Sequence, residues 1–195
     1  MNHLAHFHLA RSRDDWLVGA LLGDYIKGPL RGELPHWEQG IRLHRKIDAL
    51  SDNHALRTQL AGRLPPLLRR YAGIILDVCC DHWLTRHWQV VASLPLPVFA
   101  DRVYGVLDQH AAQLDASSQH LITRLRDYNL LCGYEDWEAV PATLRWIGMR
   151  LPRANPLITI DSAALTAARD LEGEFPNFYA ELTAALAQAG FAVSE

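Results

Sequence analysis

Leu43-His44-Arg45-Lys46-Ile47-Asp48-Ala49-Leu50-Ser51-Asp52, followed by Ile75-Leu76-Asp77-Val78-Cys79-Cys80-Asp81-His82-Trp83-Leu84-Thr85-Arg86-His87, is the stretch whose reading decides the fold. Residues four apart share a helix face, so a helical reading sets His44 beside Asp48 and Asp77 beside Asp81. Asp77 sits among Ile74, Ile75, Leu76, Val78, Cys79 and Cys80, apolar nearly all round, which is the pattern of a buried helix. Carboxylates are almost never buried without a cation, a donor or a metal beside them. Two such ladders facing each other would form a cage of carboxylate oxygen and imidazole nitrogen, donors that suit Mn, Fe, Zn or Mg. The competing explanation is that such pairs are solvated helix faces, since a helical chain with 22 acids and 10 histidines produces some by chance.

Outward from this stretch the pattern stays helical. Sustained alternation of period two is absent and the Val, Ile and Thr runs are short, so the expected class is all-α, a single-domain helical bundle over 1–195. Upstream, Asn2 to Ala10 (N-H-L-A-H-F-H-L-A) is a short apolar segment carrying His3, His6 and His8. There His6 or His8 supplies a ligand or phosphate donor, or packs in the core against backbone. Ser12 or Asp14 can cap a helix running to about Lys27 and stopped by Gly28-Pro29. Asp24, near that C-terminus, opposes the helix dipole and needs compensation from a bound cation, from Lys27 or from solvent. A Gly and Pro loop at 28–36 precedes a helix from about Trp37 to Ser51 whose inward face carries Gly40, His44, Ile47 and Asp48. Arg45 on its flank can reach a phosphoryl oxygen or be merely solvated. Asp52 ends that helix or caps the next. Further segments are expected over 56–71, broken at Pro65-Pro66, and over 74–91. Others follow at 98–110, 121–131 and 137–149, then a long run from Asp161 to about Gly190 kinked at Phe175-Pro176. Potential metal ligands cluster in 1–90, leaving 91–195 as scaffold and partner surface.

Composition excludes several classes. At 49% hydrophobic and 21% charged residues the chain is not disordered. Cys79-Cys80 and Cys132 fit neither a zinc knuckle nor a disulfide framework, and no run is long enough to span a membrane. The N-terminus lacks the form of a signal peptide, so a cytoplasmic protein is expected. The P-loop, the Gly-rich dinucleotide turn and the Gly-x-Ser-x-Gly elbow are absent, as is the aromatic interleaving of a nucleic-acid surface. Net charge is -3, yet residues 1–75 hold 11 Lys and Arg against 7 Asp and Glu, and the remainder 8 against 15. A basic first half suits an acidic partner or a phosphorylated substrate, unless folding interleaves the halves.

Four blocks in order, N-H-L-A-H-F-H-L-A at 2–10, G-A-L-L-G-D-Y-I-K-G at 19–28, L-H-R-K-I-D-A-L-S-D-N at 43–53 and L-D-V-C-C-D-H-W-L-T-R-H-W at 76–88, resemble the acyl carrier protein phosphodiesterase family. The likeness is close in the first half and confined to length and helicity in the second. It implies a helical fold distantly related to HD-type metal-dependent phosphohydrolases, with the His-Asp order reversed here as Asp81-His82. It implies Mn-assisted hydrolysis of the phosphodiester joining 4'-phosphopantetheine to a serine of holo acyl carrier protein, with Mg or Fe as other possible ions. The family blocks place Asp24, His44, Asp48, Asp77 and Asp81 as metal ligands and His82 as a further catalytic residue, with His6, Lys27 and Arg45 toward the substrate phosphate. On this reading His82 or His6 donates to the leaving serine oxygen. An acidic carrier protein would be the partner, neither nucleic acid nor membrane. Two alternatives remain: a phosphohydrolase of nucleotides or other small diesters, and a non-catalytic helical module that binds an acidic protein.

Overall fold

One helix, packed on more of the others than any other among the described residues, sits at the centre. It is α5 (Ala72–Arg86), which buries Ile75, Leu76, Val78, Cys79, Cys80, Asp81, His82, Trp83 and Leu84, as its nearly unbroken apolar sequence requires. Each fully buried aliphatic side chain there contributes about 1.5–3 kcal/mol. The computed structural model describes residues 2–30, 32 and 35–191, and among these every regular element is helical. Residues 31, 33 and 34 of the expected Gly and Pro loop lie outside the described ones. No helix is long and apolar enough to cross a membrane among the described residues.

Around α5 pack α1 (His3–Leu9), α4 (Ala55–Arg63), α9 (Ala139–Arg150) and α11 (Phe175–Gln188). On the far side of α1 lies α2 (Asp14–Leu22), which crosses α3 (Glu38–Asp52) in the most intimate helix pairing of the fold. The short α6 (Trp88–Val91) continues from α5; α7 (Leu96–His110) packs on α2 and on α8 (Ala116–Asp127). One hydrophobic core runs through all of them.

Local chemistry explains the boundaries. Asp115 caps α8, its carboxylate accepting from the N–H groups of Ser117 and Ser118. Leu151 is extended ahead of Pro152 and ends α9. Several expectations are revised, and for Asp52, the last residue of α3, the structure decides between the two alternatives. α2 stops at Leu22 rather than near Lys27, so Gly23, Asp24 and Tyr25 form a turn beyond it. His54, not Asp52, caps α4, its ring Nδ1 accepting from Leu56 N–H at 3.1 Å. The run from Asp161 is not one kinked helix: short 3-10 turns flank α10 (Thr166–Arg169), and Pro176 lies in the first turn of α11, where a missing N–H costs nothing.

The α2/α3 crossing is a backbone contact. A Cβ on Gly19 would lie 2.4 Å from the Trp37 carbonyl oxygen and 2.6 Å from Gly40 Cα, and one on Gly40 would meet Trp16 O at 2.6 Å. Neither helix can admit a methyl group without separating. Gly40→Ala is therefore expected to destabilise the protein by about 1–3 kcal/mol, read from its denaturant midpoint; an unchanged midpoint would mean that the two backbones do not touch.

Candidate metal centre

The α2/α3 contact decides where His44 goes. A Cβ on Gly23 would fall 2.2 Å from His44 Cγ, so the ring lies directly against the end of α2. Its Nδ1 donates to the Ala20 carbonyl at 2.7 Å. That bond fixes the tautomer and turns Nε2 toward two carboxylates, Asp48 Oδ2 at 3.2 Å and Asp24 Oδ1 at 3.6 Å. From the other side α1 contributes His6, whose Nε2 is 3.1 Å from Asp48 Oδ1 and whose ring stacks on that of His44 with centroids 3.8 Å apart. Ligand atoms of His6, His44 and Asp48 all lie within 4.8 Å of one another.

Electrostatics follow from this packing. Burial pulls the His44 imidazole down, but the Asp24 and Asp48 carboxylates outweigh it and hold its pKa at about 9. Burial would raise the Asp48 carboxyl, yet the hydrogen bonds from His44 and His6 hold it far below the usual carboxylate range. Asp24 is opposed by burial in the same way and drawn by His44 to about 2. Burial and the charge of His44 drive His6 down to about 3, so it is neutral. The donor set suits a divalent cation: bond lengths of about 2.0–2.2 Å to nitrogen and oxygen put neighbouring ligand atoms roughly 3–4 Å apart, and His44 has the anchored far nitrogen typical of metal-bound imidazole.

The other expected residues divide. Asp24 and Asp48 join His44, with His6 beside them. Asp77 is half-buried on α5, where burial raises its pKa, and it does not join His6, His44 and Asp48 in the group of converging ligand atoms. Asp81 is fully buried elsewhere: Oδ2 accepts from Leu4 N–H at 2.9 Å and Oδ1 from Ala5 N–H at 3.0 Å, so it secures the first turn of α1. Burial raises it to about 7 against the pull of those two donors. His82 donates from Nδ1 to the Tyr134 carbonyl at 2.7 Å and lines a separate polar pocket with Arg86, Glu135 and Arg169. The Arg45 guanidinium donates to Gly28 O at 2.8 Å and Ile26 O at 2.7 Å, bracing the loop after α2. Lys27 is exposed. His3 was not singled out from sequence; burial lowers its pKa, while the Asp24 carboxylate raises it. Its spacing of three from His6 puts both on one face of α1 and was the available signal.

These features define a protein, helical throughout its described elements, with buried imidazoles and half-exposed carboxylates gathered where α1, α2 and α3 meet. The family described as acyl carrier protein phosphodiesterase matches residues 1–182. Proteins named acyl carrier protein phosphodiesterase are similar along much of the chain. The one from Klebsiella pneumoniae strain 342 is 32% identical over 188 residues, covering 93% of this chain and 95% of that protein. The one from Photorhabdus laumondii is 33% identical over 159 residues, 80% of each, and that of Salmonella agona 35% identical over 163 residues, 80% of this chain and 82% of that protein. No solved structure matches. The chain belongs to the acyl carrier protein phosphodiesterase family.

Asp81→Ala is expected to leave two buried N–H groups of α1 unpaired and to cost at least about 2 kcal/mol, measured by chemical denaturation. A variant as stable as the parent would deny Asp81 this anchoring role.

Proposed function

We propose that this protein is a phosphoric diester hydrolase that cleaves the phosphodiester between 4'-phosphopantetheine and a serine of holo acyl carrier protein, releasing the apo protein, with a divalent cation such as Mn held at the His44 cluster. The observation that carries the reading is His44, fixed through Nδ1 on Ala20 O with Nε2 facing Asp24 and Asp48. Family membership and the names of the relatives supply the substrate class. His6, His44 and Asp48 would hold the cation, with Asp24 on the more open side. When bound, such a cation lowers the pKa of a water and polarises a phosphoryl oxygen.

The chain's own groups set the remaining conditions. Asp24 and Asp48 keep the site negative and half-exposed, so that a cation and an incoming diester reach it from solvent. His6, neutral and stacked on His44, adds a nitrogen without adding charge. Arg45 acts indirectly by fixing the loop that carries Asp24 into Lys27. His82, facing its own pocket, is not assigned the leaving-group proton.

Incubating holo acyl carrier protein with the protein and Mn should remove the pantetheine arm, seen by mass spectrometry as apo product, with a nucleotide diester panel left uncut; intact holo protein would refute the proposal. Asp48→Ala should lower kcat by a factor of about 100 or more, in line with removal of a residue that holds the catalytic ion. A pH dependence also follows. The folded pKa of His44, about 9, lies above its ordinary 6.5, so its contribution to stability without cation is complete below about pH 6.5 and is lost as pH rises through about 9. A cation must displace that proton, so Mn affinity should climb between pH 6.5 and 9 and binding should release a proton, measured by calorimetry in buffers of different ionisation enthalpy. Proton-neutral binding would remove His44 Nε2 from the ligands.

A further inference from the structure

His6 and His8 leave α1 on opposite sides, and on the side of His8 a cavity of about 550 Å³ opens between α6 and α11, of the size that takes a small organic molecule. Its walls are mostly aliphatic: Val90 and Val91 on α6, and Ala180, Ala184 and Ala187 along one face of α11. Val90 is 85% exposed there. Thr183 turns its hydroxyl away to Tyr179 O at 2.8 Å. One wall is different. His8 and His87 both line the cavity, and each holds an Nε2 that is enclosed yet has no hydrogen-bond partner among the described residues. Rings join the two: His87 stacks on Phe175 with centroids 5.9 Å apart, Phe175 meets Tyr179 at 5.4 Å, and Tyr179 meets His8 at 5.9 Å. With the Tyr179 hydroxyl donating to His8 Nδ1 at 2.5 Å, the proton of that ring sits on Nε2. The Val91 carbonyl acts on the ring without completing a hydrogen bond to it. Arg11 lines the same cavity and donates to the His8 carbonyl at 2.7 Å, which sets its charge beside His8.

Native folds rarely leave one buried polar nitrogen without a partner, and here two such nitrogens belong to one cavity. The lining says what would satisfy them. Arg11 is a cation, an imidazole N–H is a donor, and no Asp or Glu among the described residues lines the cavity, so the complementary head group is an anion that accepts hydrogen bonds. One guanidinium balances one charge, which selects a carboxylate over a phosphate dianion. The valine and alanine walls offer no hydrogen bond, so the rest of the ligand is hydrocarbon. We propose that this cavity binds an alkyl monocarboxylate, its chain along Val90, Val91 and the α11 alanines and its carboxylate toward His8, His87 and Arg11. Such a site stands whether or not the His44 cluster holds a metal, because the two lie on different faces of α1.

Calorimetric titration of the full-length protein with decanoate, kept below its micelle concentration, tests this without turnover. A single molecule should bind. Decanol should bind about tenfold more weakly for want of charge-assisted hydrogen bonds, and decyltrimethylammonium should not bind. Ala184→Trp and Ala187→Trp fill the groove from the surface of α11, so each should abolish decanoate binding at a melting temperature near the parent's, since both alanines are exposed. His87→Phe keeps a ring against Phe175 and removes the nitrogens; it should raise the decanoate Kd about fivefold or more. In the parent protein the imidazole nitrogen resonances of His8 and His87 should move on adding decanoate. No decanoate binding by the parent overturns the proposal and leaves the two nitrogens to enclosed water. Decanoate affinity unchanged in both Trp variants overturns it too, because the ligand then sits elsewhere. Decanol bound as tightly as decanoate overturns the assignment of a carboxylate.

Discussion

α2 and α3 touch backbone to backbone because Gly19 and Gly40 face each other with no room for a methyl group. The same approach sets Ala20 O within 2.7 Å of His44 Nδ1 and leaves Gly23 flat against the imidazole. Three small residues, Gly19 and Ala20 on α2 and Gly23 just past its end, thus do for His44 what a cavity does for a ligand: they fix its distance, its tilt and its tautomer. Asp24 follows directly, so the chain turns out of the helix where a carboxylate can meet the nitrogen that α2 has oriented. A methyl group anywhere along this seam would move His44 relative to Asp24 while leaving Asp48, on the same helix as His44, nearly in step. The geometry of the cluster therefore depends on the helix crossing as well as on its own side chains.

The third contributor, α1, is too short to hold itself, since seven residues form barely two turns and helix nucleation is unfavourable. It is held from outside. Its apolar residues are buried on α2 and α5, and Asp81 supplies from α5 the acceptor that its first N–H groups lack. With that end fixed, alternate histidines point to opposite sides: His6 stacks on His44, and His8 Nδ1 meets the Tyr179 hydroxyl at 2.5 Å on α11. One short helix therefore fastens the candidate site to the C-terminal helix.

Much of this was legible in the sequence because it is local. The helix over Glu38–Asp52, its inward Gly40, His44, Ile47 and the four-residue step to Asp48 follow from periodicity alone. The equal spacing of Asp77 and Asp81 promised the same and delivered otherwise, because what separates them is a contact 77 residues away, between Asp81 and the start of α1. Nothing on α5 encodes that. Arg45 read as a phosphate ligand for the same reason: its true partners are carbonyls of an irregular loop, which carry no side-chain signature. The run after Asp161 misled in the other direction, where abundant Ala and Leu favour helix and only the position of Pro176 marks where a new one begins.

Exposure then sorts the acids by what they can hold. Asp81 is wholly enclosed, and both of its oxygens are filled by N–H groups that arrive with the fold. Asp24 and Asp48 keep 51% and 43% of their side chains accessible while leaning on a histidine that is 3% exposed. An exchangeable ion needs that second arrangement: a rigid, desolvated nitrogen behind and carboxylates in front that water can still reach. A carboxylate buried like Asp81 would have to lose its backbone partners before it could bind anything, and α1 with it. Asp81 on α5 and Asp48 on α3 thus reach opposite outcomes, the buried one anchoring the helix that carries His6 and the open one completing the group that His6 joins.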